Sequence, residues 1–233
     1  MGNSKVVDEK EFSKYASLVG GTYYGAPSGL ELEQLRRIKF SENQMWLSAM
    51  NLVAGASTRD VVVEMGPGFG FLAAAAAPLV DRYLCVDINP GMLEWTKRNC
   101  AAFSNVEYLP MSLKGPLPFA DGGFATHVVS FGVFIHFNLY LVDFYLQEFA
   151  RVLRAGGLAV FNVFETPMLN PRSGDYDLKI ADFDRSRESY LAGVADYELL
   201  HWHPLSTIVD LAARHGLEPV VVGSTPMVFR KSR

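Results

Sequence analysis

Val61-Val62-Val63-Glu64-Met65-Gly66-Pro67-Gly68-Phe69-Gly70 is the stretch that decides the fold. Three consecutive valines are apolar and β-branched, as a strand buried on both faces requires. An acidic residue follows near the strand end, glycines come next at three alternate positions, and an Ala-rich run after Phe69 reads as a helix. Glycines at that spacing let the backbone turn sharply and lie close to a ligand, with the N–H groups of the helix start directed at it. Strand, glycine turn and helix together open an α/β sheet, whose ligands sit beyond the carboxyl ends of its strands.

Outward from this stretch, strands and helices alternate from about residue 58, which predicts a doubly wound, Rossmann-like sheet with helices on both faces. Seven strands can be counted. The last two, near Val220 and Met227, are joined by a tight connection containing Gly223, so the final strand is expected to be antiparallel in an otherwise parallel sheet. Val142, Leu146, Phe149 and Leu153 recur at helical spacing, which predicts a helix running to Arg154 with Gly156-Gly157 as its stop. The next strand is read from Leu158 to Phe164, apolar but for Asn162.

Two regions lie outside this core. Residues 1–54 are expected to form a helical cap or lid, with Ser41 and Gln44 placed as a capping box, leaving residues 55–233 as the main domain. Residues 165–203 are polar, aromatic and turn-rich, and a connection of that length is usually functional or disordered.

Composition narrows the classes. With 233 residues, 49% of them hydrophobic, the chain can bury one sizeable core. A net charge of −4 and scattered Lys and Arg give no basic stripe, so a nucleic-acid partner is not expected. Cys85 and Cys100 are too few for a disulfide framework. The start lacks a signal-peptide core, and the longest apolar run contains Pro78 and is too short to span a bilayer. The expectation is a cytoplasmic protein away from membranes, monomeric or homodimeric. No metal-ligand spacing is seen.

Asp87 closes the apolar run Tyr83-Leu84-Cys85-Val86, 21 positions after Gly66. A carboxylate there can accept two hydrogen bonds from a ribose diol; the alternative is a cap for the helix that follows. A dinucleotide fingerprint starting at Gly66 would need glycine at position 71, which is Phe71. Gly-x-Gly-x-Gly after an acidic strand end instead resembles motif I of the class I S-adenosylmethionine-dependent methyltransferases. Leu117-Pro118-Phe119-Ala120-Asp121-Gly122-Gly123-Phe124 resembles the stretch that precedes the family's fourth strand, and Glu148-Phe149-Ala150-Arg151-Val152-Leu153-Arg154-Ala155-Gly156-Gly157 resembles its E-x-x-RVLKPGG segment. Matched segments in order over about residues 58–165 resemble most the type 11-like, small-molecule branch.

The resemblance implies S-adenosylmethionine as cofactor, S-adenosylhomocysteine as product and no metal. It assigns Glu64, Gly66, Gly68, Gly70 and Asp87 to the cofactor, with Ile88 and Met92 flanking its adenosine and Phe131 past strand four. Ser112 stands where the family usually has an adenine-binding Asp, with Leu113 beside it. Additions such as residues 165–203 commonly form the acceptor pocket in this family. The implied activity is methyl transfer to an oxygen or nitrogen of a small molecule, a natural product or sugar-like hydroxyl being slightly preferred.

His136, just past strand four, is the candidate general base, because its ordinary pKa is near neutrality; plain packing is its alternative role. His201 and His203 are candidates for the acceptor pocket, against a surface or core role. Tyr23 and Tyr24, in a glycine-rich hinge, are lid candidates able to face a sulfonium, against ordinary docking of the extension. Two rival functions share these motifs. A nicotinamide-dependent oxidoreductase would use the same Asp87, though Phe71 argues against it, and a catalytically silent S-adenosylmethionine-binding subunit would keep every glycine.

Overall fold

The computed structural model describes residues 39–40, 42–51, 59–112, 115–165 and 201–233. Its centre is a seven-stranded sheet in the order β3-β2-β1-β4-β5-β7-β6. The strands are β1 (Val61–Met65), β2 (Arg82–Asp87), β3 (Val106–Pro110), β4 (Ala125–Ser130), β5 (Leu153–Phe161), β6 (Leu217–Val221) and β7 (Met227–Lys231). Pairs β1·β2, β1·β4, β2·β3 and β4·β5 are parallel, while β7 runs antiparallel to both β5 and β6. The expected antiparallel last strand is therefore present, inserted between β5 and β6.

Helices α1 (Phe71–Ala76), α2 (Pro90–Asn99), α3 (Leu139–Val152) and α4 (Leu205–Arg214) flank the sheet. Side chains alternate along each strand, so β1 sends Val62 to one face and Val63 to the other. On the first face Val62, Tyr83 and Cys85 pack with Leu72, Ala73 and Leu93 from α1 and α2. The helical residues 42–49 cover this face too, burying Trp46 and Leu47. On the second face Val63, Leu84 and Val128 meet Val142, Leu146 and Phe149 of α3, together with Ile208 and Leu211 of α4. Aromatic rings fill its centre: Phe161 stacks on Phe134 at 4.5 Å and on Phe229 at 5.6 Å between centroids.

Helix α3 ends at Val152, earlier than its apolar spacing predicts, and β5 begins at once with Leu153. Leu153 is buried either way: it continues the helical stripe in sequence, but pairs with Ala125 in the sheet. Gly156 and Gly157 consequently lie inside β5, where a Cβ on Gly157 would meet the Thr126 carbonyl oxygen at 3.0 Å. At its far end β5 stops at Phe161 rather than Phe164, and Phe164 makes one isolated parallel bridge with Trp202. Strand β4 ends at Ser130, and two residues on Gly132, with a φ of 74°, leaves the extended range.

The capping box read at Ser41, the hinge at Tyr23 and Tyr24, and nearly all of residues 165–203 fall outside the described residues, as does Leu113. Among the described residues no helix is long and apolar enough to cross a membrane.

Candidate cofactor site at the carboxyl edge of the sheet

The glycine turn joins β1 to α1, and all three of its glycines have positive φ: 76° at Gly66, 57° at Gly68 and 76° at Gly70. Two of them are also closely packed. A Cβ on Gly66 would lie 2.2 Å from a Val133 methyl, and one on Gly70 would meet Thr96 Cγ2 at 2.8 Å and Thr96 Cα at 3.0 Å. At Gly68 the nearest atom to such a Cβ is Met92 Cε at 3.9 Å, so this glycine faces open space.

The turn is held from both sides. Gly66 N–H donates to the Val86 carbonyl at 2.8 Å. From α2, Thr96 Oγ1 donates to the Gly68 carbonyl (2.9 Å) and Asn99 Nδ2 to the Phe69 carbonyl (3.1 Å). Thr96 and Asn99, one turn apart on α2, were legible only as polar residues on a half-buried helix. Their role depends on a contact across 28 to 30 residues of chain.

Asp87 ends β2 beside this turn. One of its carboxylate oxygens accepts the Asn89 N–H at 2.8 Å, and Asn89 in turn caps α2 by accepting the Gly91 N–H at 2.9 Å. The helix cap is thus Asn89, and Asp87 lies one step outside it. Burial pushes the Asp87 carboxyl up to about 7, against the lowering effect of backbone N–H bonds from Asn89 and Ile88. Next to it Ile88 leaves 36% of its surface exposed, an apolar side chain open at the sheet edge.

Glu64 is buried on the same sheet face and accepts the Tyr83 hydroxyl at 2.9 Å. Burial raises its carboxyl to about 7 as well, opposed by the Tyr83 bond and assisted by the charge of Asp87. Met92 is buried beside the turn, and Ser112 is exposed past β3.

Past β4, Phe131 is half-buried, with Trp46 against its ring at 4.9 Å and Lys39 Nζ 5.0 Å from its centroid. Gly132 N–H donates to Asn162 Oδ1 at 2.8 Å, which explains the single polar residue in the fifth strand's apolar run. His136 follows in a 3₁₀ turn, Phe134–His136, between the buried rings of Phe134 and Phe137, and is itself half-buried.

The structure brings the other two histidines to this turn. His201 N–H donates to the Ile135 carbonyl at 2.8 Å, His203 N–H to the Phe164 carbonyl at 2.8 Å, and His203 Nε2 lies 2.9 Å from the Phe137 carbonyl. Burial lowers the His203 pKa to about 4, so the ring is neutral and its Nε2–H is the donor. His203 is therefore buried and bonded to the backbone at both its N–H and its ring, as the core alternative for this residue describes. Among the described residues no cluster of three or more His, Cys, Asp or Glu could hold a metal.

Two of the sequence motifs prove to be scaffold. Arg151 makes a paired contact with Glu148, Nε to Oε1 at 2.9 Å and Nη2 to Oε2 at 2.7 Å. Arg151 also donates to the carbonyls of Phe119 and Leu117, and Glu148 accepts the Leu117 N–H. The pair staples the Leu117–Phe124 stretch to α3, away from the glycine turn.

A family model described as a methyltransferase domain matches residues 63–161, from β1 to the end of β5. The ubiquinone/menaquinone biosynthesis C-methyltransferase UbiE of Klebsiella pneumoniae is 30% identical over 146 residues, 60% of this chain and 57% of that protein. Across β1 to β5 the chain is similar to the class I S-adenosylmethionine-dependent methyltransferases. UbiE of Escherichia coli matches to the same extent, so the chain spans just over half the length of these curated relatives. Solved methyltransferases share the fold. Magnesium protoporphyrin IX methyltransferase from Synechocystis, determined with bound SAH, superposes with a TM-score of 0.62 at 13% identity over 97% of this chain and 96% of that one. The N-methyltransferase NodS of Bradyrhizobium japonicum gives 0.57 at 13% identity, covering 84% and 98%.

Proposed function

We propose that this chain transfers the methyl group of S-adenosylmethionine to an oxygen or nitrogen of a small molecule, a hydroxyl being preferred. The observation that carries the reading is the convergence at one sheet edge of a positive-φ glycine turn open at Gly68, the Asp87 carboxylate and the exposed Ile88. These groups fit the cofactor: the turn gives its chain close backbone approach, Asp87 accepts the ribose hydroxyls, and Ile88 with Met92 offers apolar surface to the adenine. Ser112 supplies a hydroxyl at the β3 end. Bound there, S-adenosylmethionine supplies an electrophilic methyl on a cationic sulfur.

The chain's task is to orient the acceptor, exclude water and take up one proton. Alignment of two reactants is worth roughly 7–11 kcal/mol at best. His136 fills the proton-accepting role, being half-buried on a turn that two aromatic anchors and the 201–203 segment hold in place. Residues 1–54 and 165–203 are assigned to closing and lining the acceptor side. A carbon acceptor is the second reading, favoured by the C-methyltransferase named among the relatives.

Calorimetric titration with S-adenosylmethionine, S-adenosylhomocysteine and NADH tests the donor. Micromolar binding of the first two, lost in Asp87→Ala and absent for NADH, is expected. Binding of NADH alone would return the oxidoreductase reading. Product formation with any member of a panel of phenols, amines and activated carbon acids then separates an enzyme from a silent binding subunit and identifies the atom methylated.

A further inference from the structure

Glu64 and Tyr83 form a polar pair inside an otherwise apolar face. Tyr83 pairs with Val62 across β1·β2, and Glu64 lies two residues further along β1 on the same side. The phenol reaches along the sheet to Glu64 Oε2. Tyr83 is fully buried and Glu64 is 2% exposed. A phenylalanine would fill the same volume, so the hydroxyl exists for its partner: a buried Tyr O–H is retained where it has a group to bond.

The groups facing Glu64 are Tyr83, Cys85 and Asp87 from β2 and Cys100 from the end of α2. None of these is a cation, and among the described residues Glu64 has no ion-pair partner. A buried carboxylate with one hydrogen bond and no counter-charge is suited to receive a cation from outside the chain. Its ordinary pKa of 4.5 is raised to about 7, chiefly by burial, and the Tyr83 bond acts in the opposite direction. Burial and the neighbouring charge of Glu64 push the Tyr83 hydroxyl well above its own usual range, so it remains a donor throughout.

We propose that Tyr83 is a positioning residue whose hydroxyl holds the Glu64 carboxylate in the ionised form that grips the ammonium group on the amino-acid arm of the methyl donor. The inference rests on the cofactor reading above. It separates two jobs at the carboxyl edge: Asp87 takes the ribose, which every adenosine ligand carries, and the Tyr83–Glu64 pair takes the charged arm, which only some carry.

The test compares S-adenosylhomocysteine with 5′-methylthioadenosine; both are neutral thioethers of the same adenosine, and only the first carries the amino-acid arm. Wild type, Tyr83→Phe, Glu64→Gln and the double variant of the whole chain are titrated calorimetrically from about pH 6 to about pH 9. In Tyr83→Phe, S-adenosylhomocysteine binding falls about tenfold near neutral pH, and the loss narrows toward the alkaline end as Glu64 ionises without help. Methylthioadenosine binding stays within about twofold of wild type at every pH, and Tyr83→Phe adds no further loss to Glu64→Gln. An unchanged affinity for S-adenosylhomocysteine in Tyr83→Phe, or an equal loss for both ligands, would overturn the proposal. If wild type binds neither compound, the cofactor reading itself is what fails.

Discussion

Alanine placed at Gly68 and at Gly70 should separate the two duties of the glycine turn. Both residues sit at positive φ, where a Cβ costs roughly 1–2 kcal/mol against the following carbonyl. At Gly70 a second cost is added. The new methyl would lie 3.0 Å from the Thr96 Cα, a backbone atom that cannot rotate away, and overpacking of this kind costs roughly 1–3 kcal/mol. Gly70→Ala is therefore expected to lose about 2–5 kcal/mol, a large part of the stability of an ordinary domain. Gly68→Ala meets nothing nearer than Met92 Cε at 3.9 Å, so it should lose only the backbone strain, about 1–2 kcal/mol. Its methyl projects into the open side of the turn, where the cofactor is placed, and S-adenosylmethionine affinity should drop at least about tenfold. Urea unfolding gives the first quantity and calorimetry the second. Equal stability of the two variants would refute the packing argument. Full affinity in Gly68→Ala would place the ligand on some other side of the turn.

The buried carboxylates make a pH signature. Glu64 and Asp87 are raised to about 7 from ordinary values of 4.5 and 3.8, so between those limits the folded chain holds more protons than the unfolded one. Their contribution to stability therefore falls as pH rises from about 4 and is fully lost above about 7. Glu64→Gln should be more stable than wild type by roughly 1–3 kcal/mol near pH 8, with the gain vanishing near pH 4, in denaturant titrations at several pH values. A stability difference that does not vary with pH would contradict the assignment. Arg151→Met removes the partner of the mostly buried Glu148 carboxylate and two bonds to the Leu117–Phe124 stretch, so it should cost about 1–3 kcal/mol without moving cofactor affinity. A weakened cofactor with unchanged stability would show instead that the pair belongs to the site.

What could be read in advance was local. The glycine turn, its acidic strand end and Asp87 each sit within a few residues of a strand boundary, and the structure gathers them at one edge. Boundaries were less legible where one residue suits two structures: Leu153 fits both the helical stripe and the strand, and only its pairing with Ala125 decides. Long-range partners were not legible at all. Tyr83 reads as one more apolar strand residue until Glu64 is beside it. His203 could be read as pocket, surface or core until Phe137, 66 residues away, is seen to accept its ring N–H. Asn162 carried a usable signal, a polar side chain in an apolar run, but its partner at Gly132 required the fold.

The placement of β7 between β5 and β6 reverses the order in which the sheet can be assembled. Synthesis delivers β6 first, yet among the described residues its sheet neighbour is β7, which emerges later and pairs with β5 on its other side. Until Met227–Lys231 has left the ribosome, one edge of the growing sheet ends at β5, with its backbone groups unpaired and Phe161 uncovered by Phe229. The glycine turn and Asp87 are thus synthesised well before the strand that extends the sheet beyond β5.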